Sequence, residues 1–221
     1  MDFGPLLLSF EVATLATLLA AVVGIGVAAL LANCRFIGRD LLEVIFTAPM
    51  VMPPTVLGYY VLVLLGRRSF IGHAYEALTG NSIVFTKTGA VVAATIGALP
   101  LVVKSVRAAL EQTDPTLILA ARTLGASPLR ALFSVQLPLA KRGIAAALML
   151  AFARAAGDFG VTLMVAGDIP GKTRTASLAI YDAIQAQREQ EATVMVVVLT
   201  ALVLTLLYAV GKLTARRSED R

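Results

Sequence analysis

Five separate runs of this chain are apolar over about twenty residues or more, the length that crosses a membrane. They cover residues 6–32, 41–65, 88–110, 143–167 and 192–211. A helix needs roughly 20 apolar residues to traverse ~30 Å of hydrocarbon. Only 15% of the 221 residues are charged, against about 25% in soluble domains, so there is too little polar surface to solvate these runs. The fold class is therefore an all-α integral membrane protein with five transmembrane helices. The first run reads as a retained span, not a cleaved leader. Met1–Pro5 carry no positive charge, and the 27 residues from Leu6 to Ala32 exceed the ~7–15 of a signal core.

Orientation follows from the basic residues of the connections, which accumulate on the cytoplasmic side. With the N-terminus outside, the inner segments hold Arg35, Arg39, Lys104, Arg107, Arg122, Arg130, Lys141, Arg142, Lys212, Arg216, Arg217 and Arg221. The outer segments hold half as many, namely Arg67, Arg68, Lys87, Lys172, Arg174 and Arg188. The expectation is N-out/C-in, with Arg67 and Arg68 against the trend. A net charge of +5 in so apolar a chain points to basic loops at a lipid surface, not to nucleic acid. Tryptophan is absent, which leaves Tyr, Arg and Lys as interfacial anchors.

The second run is interrupted by Pro49, Pro53 and Pro54, followed by Thr55 and Gly58. Proline removes a backbone donor and clashes with the preceding turn. Such a break survives in a membrane where protein buries it or a wet cavity solvates it. Both a kinked packing helix and a pathway-lining helix fit. In the fourth run Arg154 and Asp158 are four apart and share a helix face. A lone charge at mid-membrane costs at least ~2.5 kcal/mol, so the two are expected to pair, either structurally or as part of a gate.

The connection Glu111–Arg142 is too polar to cross. Asp114 or Thr113 caps a helix over Thr116–Leu124, with Pro115 in its first turn. The helix stops at Gly125, restarts near Pro128, and breaks again at Pro138. Its apolar residues Leu117, Leu119, Leu124, Leu129, Leu132 and Phe133 should pack on the spans or on a partner. In the outer connection, Thr175–Gln187 is expected as an amphipathic helix with Leu178, Ile180, Tyr181 and Ile184 on its apolar side. Gly167–Thr173 imitates a phosphate loop but has three residues between its glycines where four are needed. It is expected to be a turn displaying Lys172 and Arg174. Gly24-Ile-Gly26 reads as close helix packing. Cys34 reads as a small apolar filler and His73 as a loop residue. One cysteine and one histidine build neither a disulfide framework nor a structural zinc site. No set of nucleophile and base is evident, so no catalytic residue, metal or cofactor is expected.

The inner connection reads Leu119-Ala120-Ala121, three residues, Gly125, nine residues, then Val135-Gln136-Leu137-Pro138. This resembles the E-A-A signature of ABC importer permeases, with Leu119 in place of the glutamate. Met52–Tyr59, Gly157–Val161, Gly167–Arg174 and Ala179–Asp182 resemble the molybdate-type subfamily. The resemblance implies a single ABC transporter transmembrane domain over residues 1–221, with a cytoplasmic coupling helix between the third and fourth spans (region 113–138). It implies ATPase contacts at Leu119, Ala120, Ala121, Gly125, Ala126, Leu137 and Pro138, and a pathway or gate at Pro53, Pro54, Thr55, Arg154 and Asp158. It further implies a homodimer in a bacterial inner membrane, a cytoplasmic ABC ATPase dimer that hydrolyses the ATP, and an extracytoplasmic molybdate-binding protein. Molybdate, and with it tungstate, is the expected cargo. Sulfate or another small oxyanion is the runner-up, and a stand-alone secondary transporter the reading of a different class.

Overall fold

Prolines, glycines and short polar clusters set the helix ends in the computed structural model, which describes residues 3–216. Of the inner basic residues, Arg217 and Arg221 lie outside that range. All regular structure among the described residues is helical. The chain runs α1 (Gly4–Asn33), α2 (Arg39–Val51), α3 (Pro54–Leu65), α4 (Phe70–Thr79), α5 (Lys87–Glu111) and α6 (Pro115–Thr123). It continues with α7 (Pro128–Ala131), a π turn (Leu132–Gln136), α8 (Leu137–Ala156), α9 (Gly160–Ala166), α10 (Ala176–Gln185) and α11 (Glu189–Arg216).

Four uninterrupted helical stretches are long and apolar enough to cross a membrane: Gly4–Asn33, Lys87–Glu111, Pro128–Ala156 and Glu189–Ala209. A fifth crossing is available if α2 and α3 act together, but they meet at 120°. The second apolar run is thus not one kinked helix. Met52 and Pro53 are extended, with ψ of 140° and 135°, because the residue before a proline is pushed out of the α region.

The fourth run is also divided. α8 ends at Ala156, Gly157–Phe159 form a break, and α9 follows as two short turns. At its other end α8 is continuous with α7, and no break occurs at Pro138. There the Leu137 N–H reaches back five residues to the Leu132 carbonyl. This wider π turn makes room for a ring that would otherwise meet the carbonyl four residues earlier. The buried Gln136 then donates through Nε2 to the Leu110 carbonyl at 3.3 Å, near the open end of α5.

The core is built mainly from small residues. α1, α5 and α8 meet through Ala13, Ala16, Ala20, Ala94, Ala98 and Ala151, each at most 1% exposed. Small side chains let membrane helices approach closely enough for dispersion to hold them, since lipid offers no hydrophobic drive between helices. Gly24 shows the limit: a Cβ there would lie 2.7 Å from Val102 Cγ1 on α5. Gly26 has open space around it, so only the first glycine of that pair is a packing residue. A second core joins α3, α5 and α9 through Leu57, Val61, Ala93, Val161 and Val165. At the opposite end of α5, Arg107 pairs with Glu43 of α2 at 2.6 Å and with Glu111 at 2.7 Å.

Several local expectations need correction. α4 was read as loop, yet Ser69 caps it by accepting from Gly72 N, and Gly80 closes it with φ 71°. His73 therefore sits on a helix. Cys34 is exposed just past the end of α1, not a buried filler. On α10 the buried face is Ala176, Leu178, Ala179 and Ala183, while Tyr181 and Ile184 are exposed. α10 dips against α1 and α11, and Ser9 Oγ of α1 accepts its Ala176 N–H at 2.7 Å.

Replacing Gly24 with Leu should separate α1 from α5. The expected cost is about 1–3 kcal/mol, read as a lower melting temperature of the detergent-solubilised chain, while Gly26→Leu should leave that temperature nearly unchanged.

Candidate functional site

The breaks in the second and fourth apolar runs converge on one place. α3 begins at Pro54 and α9 at Gly160, and a Cβ on Gly160 would lie 2.6 Å from Pro54 Cβ. The two breaks are therefore in van der Waals contact. Pro53, Pro54 and Thr55 are exposed in the single chain. α3 has no side-chain cap at its start.

Arg154 and Asp158 bracket the second break. Arg154 Nη1 donates to Asp158 Oδ1 at 2.8 Å. Asp158 Oδ2 accepts both the Thr162 N–H at 3.0 Å and the Thr162 hydroxyl at 2.7 Å. One carboxylate thus satisfies a free donor of α9 and holds it to the last turn of α8. Gly97 on α5 lies against the pair: a Cβ there would meet Arg154 Nη2 at 3.4 Å, in ordinary van der Waals contact. Burial is unequal: the Asp158 side chain is 2% exposed and that of Arg154 36%. The carboxylate is locked in place, while part of the guanidinium remains open.

The second candidate region is α6 and the turn after it. Asp114 caps α6, its Oδ1 accepting from Thr116 N at 2.9 Å and from the Thr116 hydroxyl at 2.8 Å. These bonds, the backbone one foremost, hold the Asp114 carboxyl below its ordinary value. The cap stays ionised at neutral pH. Its contribution is lost only as pH falls through the lowered folded value, below the usual carboxylate range. Gly125 turns the chain with φ 90°, a conformation open to glycine and strained for other residues. Leu119, Ala120, Gly125 and Pro138 are exposed, and Ala121, Ala126 and Leu137 are half-buried. The apolar residues of this segment do not pack on the spans as a set. Leu119 is 59% exposed, Leu124 89%, Leu129 68% and Phe133 67%, while Leu132 and Leu137 pack on the main core.

The loop that imitates a phosphate site is tied shut. Thr173 is fully buried, its hydroxyl donating to the Gly167 carbonyl and accepting from Ile169 N. Arg174 is not displayed as expected. It forms two bonds to Asp168, at 2.7 and 3.1 Å, and one to Asp182 of α10 at 3.1 Å. The side-chain bond to Asp168 is the main cause holding the Arg174 guanidinium even more firmly protonated than usual. Arg188 adds bonds to Asp182 and Glu191. No group of three or more His, Cys, Asp or Glu residues suited to a metal occurs among the described residues.

Residues 20–220 match the family described as binding-protein-dependent transport system inner membrane component. The chain is 39% identical over 220 residues to the molybdenum transport system permease protein ModB of Escherichia coli K12, covering 100% of this chain and 96% of that protein. It is 40% identical to the Haemophilus influenzae ModB, over 94% and 90% of the two chains. The sulfate transport system permease protein CysT of Salmonella typhimurium is 32% identical, over 92% and 73%. Among solved structures, the MetNI methionine ABC transporter aligns with TM-score 0.73 at 18% identity, over 95% and 93% of the chains. A bacterial alginate ABC importer aligns with TM-score 0.76 at 14% identity, over 97% and 79%. These two likenesses show a shared fold.

Asp158→Asn should destabilise the chain by about 2–4 kcal/mol, since it leaves a part-buried guanidinium without its counter-charge. Adding Arg154→Met should recover part of that loss. The check is a double-mutant cycle on thermal unfolding in detergent; additive losses would show that the two side chains are not coupled.

Proposed function

The chain belongs to the family of binding-protein-dependent transport inner membrane components, and we propose that it forms the path by which molybdate enters the cytoplasm. As a member of that family it is a transport subunit and not an enzyme, and ATP is hydrolysed by a separate subunit. In our reading two copies line a pathway in a bacterial inner membrane, N-terminus out and C-terminus in. A cytoplasmic ABC ATPase dimer drives them, and an extracytoplasmic molybdate-binding protein delivers the anion.

The observation that carries this reading is the exposed apolar surface around Gly125. Leu119, Leu124, Leu129 and Phe133 are each more than half exposed within the chain. An exposed cluster of this kind marks an interaction surface. On the proposed orientation it faces the cytoplasm, where a groove in the ATPase would receive α6 as the coupling helix of region 113–138. Leu119, Ala120, Ala121, Gly125, Ala126, Leu137 and Pro138 form or brace that contact. Leu119, where the family signature has glutamate, supplies apolar contact in place of charge.

The structure offers a route for the motion. Helix runs without a break from Pro128 through the π turn to Ala156. At 1.5 Å per residue this rod is about 43 Å long. Its near end adjoins the exposed turn and its far end is the Gly157–Phe159 break. Displacement of α6 therefore arrives at Arg154, Asp158 and, through the Gly160–Pro54 contact, at the break in the second span. We assign Pro53, Pro54, Thr55, Arg154 and Asp158 to the pathway or gate on this basis. Asp158 offsets most of the Arg154 charge, so an anion meets a weak positive potential and leaves readily. Selectivity then rests mainly with the delivering protein. Sulfate is the second reading, supported by the 32% identity to a sulfate permease; the molybdenum permeases are the more similar.

Gly125→Leu forces a leucine into φ 90° at the exposed turn. The altered chain should insert normally yet lose the co-purifying ATPase, or lose ATP-dependent molybdate uptake in vesicles by at least about tenfold, a loss of ~1.4 kcal/mol in coupling. Full uptake with bound ATPase would contradict the coupling role. Excess sulfate in the same assay should compete weakly; strong competition would move the assignment to the second reading.

A further inference from the structure

The residues that break the charge rule gather in one cavity. Of the six basic residues on the proposed outer side, Arg67 pairs with Glu76, Lys87 with Glu11, Arg174 with Asp168 and Asp182, and Arg188 with Asp182 and Glu191. Among the described residues, the side chains of Arg68 and Lys172 have no ion-pair or hydrogen-bond partner. They come from connections about a hundred residues apart in the chain, yet both line the same open cavity of about 760 Å³. Arg67 lines it too.

The cavity has further features suited to an anion. None of its lining residues is acidic. Leu62, Val63, Val84 and Phe85 give it apolar walls. Clefts lined by one sign of charge with low-dielectric walls focus the field and concentrate counter-ions. Ser82 also lines it, and its Oγ is buried without any hydrogen-bond partner. A buried hydroxyl normally finds a partner, and a turn of the Ser82 side chain into the cavity would bring its hydroxyl to a bound ion.

We propose that this cavity is a reception site for a small dianionic oxyanion, with Arg68 and Lys172 supplying the charge and Ser82 a neutral donor. The proposal rests on the outward placement of this end of the molecule in the transport reading above. The site is distinct from the span breaks at Pro53 and Gly157–Phe159. Two unpaired cations match a dianion, so molybdate and sulfate should bind alike and chloride poorly. The cavity is far larger than one tetrahedral ion, so the bound ion stays partly hydrated and weakly held. It thus acts as a funnel that raises the local concentration of cargo.

The test uses the assembled permease–ATPase complex in detergent, without any binding protein, equilibrated against molybdate and, separately, sulfate. The wild type should bind both weakly, with affinity falling steeply as salt rises. Arg68→Gln with Lys172→Gln should weaken binding about tenfold or more, Ser82→Ala by a smaller factor, and Arg68→Lys should retain most of it. Both cations are exposed and unpaired, so the variants should stay assembled, which size-exclusion chromatography checks. Absent binding to the wild type, or unchanged binding to the double variant, would overturn the proposal. So would loss of affinity for the delivering protein with free-anion binding intact, which would give the cavity to an acidic partner surface. ATP-driven uptake by the wild type, reconstituted in vesicles and supplied with the binding protein, is measured in parallel. If uptake is present and binding is unaffected by the substitutions, this inference alone fails; if uptake is absent, the transport reading fails.

Discussion

Hydrocarbon gives backbone N–H and C=O groups nothing to bond with, and this fold is organised around meeting that demand where two apolar runs are broken. Each break needs the other. Pro54 opens α3 against the bare Cα of Gly160, which opens α9. Asp158 then supplies the acceptor that α9 lacks, and Arg154 supplies the charge that lets a carboxylate sit there with its side chain 2% exposed. Gly97 on α5 packs against both. The alanine-rich contact of α1, α5 and α8 frames this arrangement and is itself a packing device, not a site.

The two ends of the molecule differ in how they treat charge and apolar surface. At one end, loops are closed by Thr173 and by the Asp168–Arg174–Asp182–Arg188 network, which fixes α10 against the bundle. At the other, α6 and its turn leave leucines and Phe133 uncovered. In the transport reading proposed above, the end carrying the charge-paired loops receives the cargo, and the apolar end is the one a driving subunit would cover. The unbroken helix from Pro128 to Ala156 connects the second to the broken spans. In the proposed reading these features would let a push on α6 act on distant backbone, which is what coupling means physically.

Much of this was legible in the sequence, for reasons that differ by residue. Apolar run length is a local property, so the membrane class needed no tertiary knowledge. The Arg154–Asp158 pair followed from helical spacing. The hydroxyl and N–H of Thr162 as partners of Asp158 did not: Gly157 and Gly160 allow a bend there, but an apolar run does not say that the helix stops at the first and restarts at the second. Pro138 misled in the opposite direction: a π turn absorbs it without a break. Arg174 was expected at the surface because its partners, Asp168 and Asp182, lie on separate elements that only folding brings together. Ser69 and Gly80 were the available signals for α4, and the short run between them hid it.

The central claim is that an external motor acts through the turn at Gly125. Cys34 is the chain's one cysteine, so a Cys34→Ser background with Leu124→Cys gives a single reporter at a position 89% exposed. In membranes containing the full transporter, a short thiol cross-linker should join that cysteine to the ATPase subunit, with the yield changing when ATP is added. A cysteine that reacts only with impermeant reagent from outside, or that never joins the ATPase in a complex competent for uptake, would contradict the account.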